Sequence, residues 1–184
     1  MDNIFFDINK LKKCGKNVII GKTVRIRYPE LVSIGDNVII DDFSYISTQL
    51  VISSYVHISS GCKIIGGKDS KVSFQSFSTL SPNVVLAARS DDYISGIATP
   101  LVHEKYKGDF SKKNIKIGKH VIIGSNSVVL PGVVANEGSS LGALSLARKN
   151  LEPWQLYAGI PCRKIKKRSR VEILSLEKSF LSEQ

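Results

Sequence analysis

The sequence predicts an all-β protein: a parallel β-helix of triangular section, carrying one long extruded loop and a short C-terminal α-helix. Three observations carry that prediction. A large aliphatic residue returns at every sixth position through Ile34, Ile40, Ile46, Ile52, Ile58 and Ile64. Two positions ahead of each stands Val32, Val38, Ser44, Leu50, Val56 or Cys62. Glycine, aspartate, asparagine and serine follow the anchors, as in "IGDN", "IDDF", "ISSY", "IGKH" and "IGSN".

A period of six is neither the helical period of about 3.6 nor the simple alternation of a hairpin strand. Residues two apart on a strand share a face, so the anchor and its predecessor both point inward, and the polar residues after them suit tight corners. Three such strands close one triangular coil of roughly eighteen residues. No coil buries its aliphatic side chains alone; stacked neighbours do, with backbone groups pairing above and below. The register continues upstream through Ile20 and Ile26, and downstream through Phe74, Leu80 and Leu86. After a gap it resumes as Ile117, Ile123, Val129, Ala135, Leu141 and Ala147, so that five to six coils are expected.

Insertions in such an array leave the prism as loops. "RYPE" (27–30) and "GGKDSK" (66–71) are short, whereas 87–114 is long, polar and rich in histidine, acid and lysine. A loop of that length is usually functional, which places the chemistry near it. After Pro161, "VEILSLEKSFL" spaces Ile173, Leu174, Leu176 and Phe180 along one side of a helix, expected to lie against the prism's end or a neighbouring subunit. The organisation read from the chain is one domain over 1–184: a β-helix over 17–151 with its loop at 87–114, then a C-terminal extension with a helix over 152–184.

Composition narrows the function. The net charge of +10 gathers at Lys10, Lys12, Lys13 and Lys16 and again at Arg163, Lys164, Lys166, Lys167, Arg168 and Arg170, which suits an anionic partner or a solvated edge. No nucleic-acid motif accompanies the charge, so nucleic acid is not the expected partner. No apolar run reaches the ~18–20 residues of a membrane span and no secretory leader opens the chain, so a cytoplasmic location is expected. Cys14, Cys62 and Cys162 are too few and too scattered for a disulfide framework, and Cys62 falls on an inward position. His57, His103 and His120 show no metal-site spacing, so no metal is expected.

Over about 17–168 the chain resembles the hexapeptide-repeat acyltransferases, on "IGKHVIIGSNSVVLPGV", the closing segment "GALSLARKNLEPWQLYAGIPCRKI", and "SDDYISG" at the loop entrance. The resemblance implies a left-handed helix, a homotrimer, and acetyl-CoA lying between adjacent prisms. The branch it points to acetylates nucleotide-linked deoxyamino sugars for bacterial surface polysaccharides. It further implies that the cofactor meets Gly124, Ser125, Gly142, Ala143 and Ser145, where small residues let a pantetheine arm approach. Arg148, Lys149, Arg163 and Lys164 would meet its phosphates.

Acyl transfer needs a nucleophile, a base for its proton and donors for the oxyanion. His57, one position before the inward Ile58, should point outward among serine-rich corners and is the expected base. Asp91 and Asp92 open the loop, one to orient an imidazole and the other to hold a sugar hydroxyl or ammonium. Tyr93 would stack on sugar or base, His103 would reach the site if the loop folds over it, and His120 is expected at a solvent-facing corner. Many sugar O-acetyltransferases of this fold carry an "HP" histidine where "RSDDYIS" stands here. A hydroxyl needs a strong base, whereas a neutral amine already offers its lone pair, so N-acetylation is favoured. Transfer to a glycan hydroxyl and a non-catalytic, glycan-binding or scaffolding β-helix remain the alternatives.

Overall fold

The computed structural model describes residues 7–184, in which seven stacked rungs form one face of a left-handed β-helix. That first face consists of Val18–Ile20, Val38–Ile40, Val56–Ile58, Thr79–Leu80, Ile122–Ile123, Ser140–Leu141 and Gln155–Ala158, each parallel to the next. The five to six coils expected from the repeat fall short of this. The reason is that Gln155–Ala158 pairs with Ser140–Leu141 as a further rung although its sequence has left the six-residue pattern.

All the sixfold anchors are buried, Ile40, Ile46, Ile58, Ile64, Leu80 and Leu86 fully so. Each buried Ile or Leu stabilises the stack by about 1.5–3 kcal/mol relative to exposure. Several inward serines find partners for their hydroxyls: Ser44 Oγ donates to the Ser59 carbonyl at 3.2 Å and Ser127 Oγ to the Gly142 carbonyl at 2.8 Å, whereas the buried Ser139 Oγ has none among the described residues. Cys62 is fully enclosed and its thiol is pushed up to about 11 by burial, which leaves it a packing residue.

The second and third faces meet at a corner that two strands cross without breaking, Tyr45–Ile52 and Lys63–Phe74. The segment "GGKDSK", expected as an edge loop, therefore lies inside a strand. Its extra residues are absorbed as a bulge, with Thr48 opposite Gly67 and Gln49 opposite Lys71. The long insertion leaves the same corner. Its stem is an antiparallel pair, Arg89–Ser90 with Ser111–Lys112, and a 3-10 turn at Glu104–Tyr106 lies within it.

The corner leading into the first face needs one residue per coil in the left-handed region. Asn17, Asn37, Tyr55, Phe77, His120, Gly138 and Trp154 occupy it. A left-handed conformation costs a bulky residue roughly 1–2 kcal/mol, which stacking offsets. The Tyr55 and Phe77 rings lie 4.9 Å apart at 2°, and Phe77 and His120 lie 5.4 Å apart at 13°. Gly138 leaves the room that Trp154 fills: a Cβ there would stand 2.3 Å from the indole.

The C-terminal helix, Arg170–Ser182, packs along this ladder, on the prism's flank instead of its end. Phe180 sets its edge against Tyr55 and Phe77, and Tyr55 Oη donates to Gln184 Oε1 at 2.8 Å. Of the expected apolar stripe, Ile173 and Leu174 are half-buried while Leu176 is 70% exposed. His120 was expected at the surface; the helix covers it. Its Nε2 lies 2.8 Å from Glu177 Oε2, and Lys119 binds the other carboxylate oxygen. Burial pushes the Glu177 carboxyl up, but the hydrogen bonds from Lys119 and His120 outweigh it and leave the group below its ordinary value. Arg168 fastens the approach to the helix, with Nη1 donating to the His120 and Gly138 carbonyls at 2.8 and 2.7 Å.

Candidate functional site

Three groups of chemistry-bearing residues lie on this frame. The first is the corner between the first and second faces. Beyond the inward anchor of each first-face rung, the next residue sits on the corner, and from Gly21 to Gly142 its amide is bonded to the coil below. That column reads Gly21, Asp41, Ser59, Ser81, Gly124, Gly142 and Ala158. Its upper half is polar. His57 projects outward, as its place beside Ile58 requires, and its Nε2 lies 2.7 Å from Asp41 Oδ2. Both side chains are nearly half exposed, so the pair faces solvent, and among the described residues the other ring nitrogen is unengaged. The carboxylate that orients the imidazole is thus Asp41, one coil up, and neither Asp91 nor Asp92.

The lower half of the column is small. A Cβ on Gly124 would meet the Ala143 amide nitrogen at 2.5 Å, so the stacked coil already demands glycine there. Gly142, Ser125 and Ala143 lie on the same corner, with Ala143 exposed. Ser145 does not share their access. It is 2% exposed, and its Oγ donates to the Ala143 carbonyl and accepts from the Gly159 amide, which fixes the corner from within.

The second group lies at the foot of the long loop. Ile65, Gly66, Gly67, Arg89, Asp91, Ala98, Pro100 and Lys107 line a cleft of about 340 Å³. Asp91 is exposed here. Asp92, its neighbour, is committed to the loop: Oδ1 accepts from the amides of Ile94 and Ser95, and Oδ2 from Ser95 Oγ and the Asp109 amide. These donors, Ser95 Oγ foremost, hold its carboxyl far below the usual range and tie the loop's entry to its exit. Tyr93 stands 91% exposed, and His103 Nδ1 accepts from the Lys105 amide at 3.3 Å, capping the 3-10 turn.

The third group is at the last coil. Arg148, Lys149, Arg163 and Lys164, expected together from the resemblance, line one cleft of about 630 Å³ with Leu151, Glu152 and Tyr157. Lys164 Nζ lies 2.5 Å from Glu152 Oε2, which draws its pKa up, whereas Arg163 makes no ion pair among the described residues. Arg163–Lys167 is also an exposed edge strand, antiparallel to Gln155–Ala158, where its charges oppose edge-to-edge pairing.

Within one chain, then, His57 and Asp91 do not meet. One stands beside the first corner and the other beside the second, with the second face between them. Residue-by-residue reading passed over Asp41, Ser81, Arg89 and Lys107. The repeat held the signal for the first two: aligned coil on coil, Asp41, Ser59 and Ser81 share one column, two residues beyond Ile39, His57 and Thr79. For Arg89 and Lys107 no such signal existed, because the insertion lies outside the repeat.

No protein-family model matches the chain. Among curated proteins, a dTDP-4-amino-4,6-dideoxy-D-glucose acyltransferase of Escherichia coli is 36% identical over 98% of this chain and 94% of its own. A galactoside O-acetyltransferase of Escherichia coli strain K12 is 29% identical over 80% of this chain and 62% of its own. Among solved structures, AntD, an N-acyltransferase from Bacillus cereus, was determined as a serine variant with dTDP-4-amino-4,6-dideoxyglucose and coenzyme A. It superposes with a TM-score of 0.93 at 34% identity over 100% of both chains. AntD with dTDP and 3-hydroxybutyryl-CoA gives 0.92 at 35% identity over 99% and 98%. The chain therefore belongs to the hexapeptide-repeat, left-handed β-helix acyltransferases, in the branch of nucleotide-sugar acyltransferases.

Proposed function

We propose that this acyltransferase moves an acyl group from a CoA thioester to the amino group of a dTDP-linked 4-amino-4,6-dideoxy sugar. One observation carries the reading: the match to AntD, solved with that sugar nucleotide and coenzyme A, runs the whole length of both chains. The basic cleft at the last coil suits the nucleotide end of CoA, through Arg148, Lys149 and Arg163. From there the pantetheine arm would run along the small-residue column of Gly124, Ser125, Gly142 and Ala143. Ser145 acts beneath it as a positioning residue.

The separation of His57 from Asp91 calls for a second protomer. In a homotrimer, the first corner of one subunit faces the loop foot of the next, and Tyr93, Ile94 and Leu101, each at least 91% exposed, are available to that contact. His57, oriented by Asp41, takes the proton released after the amine attacks, while Asp91 holds the amine. A specific observation favours a different proton path: the serine and the aspartate replaced in AntD structures stand ten positions apart. Ser81 and Asp91 have that separation here and belong to the same two corners. The two paths differ in whether His57 is required.

The acyl group is acetyl in this proposal, with 3-hydroxybutyryl, which AntD was solved with, as the competitor. The enzyme acts in the cytoplasm, where CoA thioesters and sugar nucleotides are made, on a sugar destined for surface polysaccharide such as O-antigen or capsule. Among the described residues no helix is long and apolar enough to cross a membrane. The test is thiol release by purified protein with acetyl- or 3-hydroxybutyryl-CoA and dTDP-linked 3- or 4-amino-dideoxy sugars. Turnover only with a plain glycan hydroxyl would replace the reading by O-acetylation.

A further inference from the structure

The motif "SDDYISG" opens the long loop with two adjacent aspartates, and the structure uses them in opposite ways. Among the described residues the Asp91 carboxylate makes no hydrogen bond or ion pair, so its place in the cleft depends on the backbone that carries it. That backbone is tied on both sides. Ser90 pairs with Ser111 at the end of a stem only two residues long on each strand. Asp92 accepts four hydrogen bonds, on Oδ1 from the Ile94 and Ser95 amides at 2.8 and 3.2 Å, and on Oδ2 from Ser95 Oγ and the Asp109 amide at 2.6 and 3.1 Å. A carboxylate offers about four lone-pair sites, so Asp92 has none left for a sugar, an ammonium or an imidazole. Further out, the Ile97 amide donates to the Tyr106 carbonyl at 2.9 Å. The two halves of the loop approach this closely because two residues lack a side chain. A Cβ on Gly108, at φ 68°, would stand 2.2 Å from Asp92 Oδ2, and one on Gly96 would stand 2.0 Å from the Lys107 carbonyl oxygen.

We infer that Asp92 is a positioning residue for acyl transfer: it clamps the loop's entry to its exit and thereby holds Asp91 where the acceptor amine arrives. The inference rests on the function proposed above, in which Asp91 holds the amine, and gives the rest of the motif a task. Ser90 ends the stem, Ser95 supplies two of the four donors, and Gly96 and Gly108 leave room for the chain to close on itself. An isolated two-stranded ribbon is marginally stable, so the short stem does not hold a loop of this length unaided. With the clamp cut, residue 91 would follow the loop's fluctuations, and a misplacement of about 1 Å can cost about 10²-fold in rate. The loop lies outside the coils, so the loss falls on the acceptor's chemistry and spares the prism.

Steady-state kinetics on the full-length protein test this, with acetyl-CoA as donor and dTDP-4-amino-4,6-dideoxyglucose as acceptor, beside hydrogen exchange of the loop amides. Asp92→Ala should lower kcat/KM for the acceptor about 100-fold. Its KM for acetyl-CoA should stay within about twofold of the wild type, and its melting temperature within about 2 °C. Its pH–rate profile should keep the wild-type shape, because Asp92 exchanges no proton. Asp92→Asn keeps an acceptor for the amides of 94 and 95 but offers none to that of Asp109, which should exchange about tenfold faster. Gly108→Ala drives a Cβ into Asp92 Oδ2 and should reproduce the acceptor-selective loss with Asp92 itself intact. Ser95→Thr, which keeps the hydroxyl, should stay near the wild type where Ser95→Ala loses about threefold. Wild-type kcat/KM in Asp92→Ala, a lost limb in its pH profile, or a loss spread over the KM for acetyl-CoA and the melting temperature overturns the positioning role. A wild type whose amides at 94, 95 and 109 exchange slowly, yet which acylates no dTDP-linked amino sugar, overturns the function beneath it and leaves the clamp standing.

Discussion

Phe77→Ala would cut the aromatic ladder at its middle. The ring stacks on Tyr55 at 4.9 Å and on His120 at 5.4 Å, and meets the edge of Phe180 at 6.0 Å. Aromatic pairs contribute about 0.5–1.5 kcal/mol each beyond area burial, so their joint loss is about 2–3 kcal/mol. Phe77 also holds φ at 60°, and alanine keeps that strain whereas glycine relieves about 1 kcal/mol of it. Phe77→Gly should therefore be more stable than Phe77→Ala by about 1 kcal/mol, although it has the smaller side chain. Urea denaturation at fixed protein concentration reads the order, and hydrogen exchange over residues 170–182 reads release of the helix. If Phe77→Ala stays within about 0.5 kcal/mol of the parent with its helix amides still protected, the ladder is not what docks the helix.

Gly138→Ala should lose more than about 2 kcal/mol, because its Cβ meets Trp154 at 2.3 Å in a backbone with φ 68°; thermal melting checks it. Glu177 titrates below its unfolded value, so its contribution is full above the ordinary carboxylate range and is lost as pH falls through the folded value. Helix protection should hold from pH 7 to about 5 and decline below about 4, and Glu177→Gln should flatten that profile. His57→Asn should lower kcat more than tenfold at unchanged KM for acyl-CoA; a change under twofold assigns the proton to the Ser81–Asp91 path. Arg163→Ala should raise KM for acyl-CoA about tenfold with kcat little altered. Lys164→Ala should do less, because Glu152 already engages that lysine.

The six-residue spacing by itself determined the solenoid, the inward anchors from Ile20 to Ala147, and the exit of the long insertion at 87–114. A side chain that must face inward once per strand leaves its mark on every coil, whatever lies far away in sequence. The outward direction of His57 followed from the same parity. The basic set Arg148, Lys149, Arg163 and Lys164 was recognisable through resemblance, and the structure gathers it on one cleft.

Only the tertiary structure decided the partners. It gave His57 the carboxylate of Asp41, committed Asp92 to the loop stem and withdrew Ser145 beneath the corner. It also set the C-terminal helix, expected against the prism's end or a neighbouring subunit, along the flank of its own prism and sealed His120 under Glu177. The His120–Glu177 pairing joins residues 57 positions apart that a period cannot index, whereas His57 and Asp41, 16 apart, meet through the coil-on-coil register once the rungs are aligned. Inward positions repeat because every coil solves the same burial problem, whereas outward contacts are set by which corner, loop or helix the finished prism brings alongside.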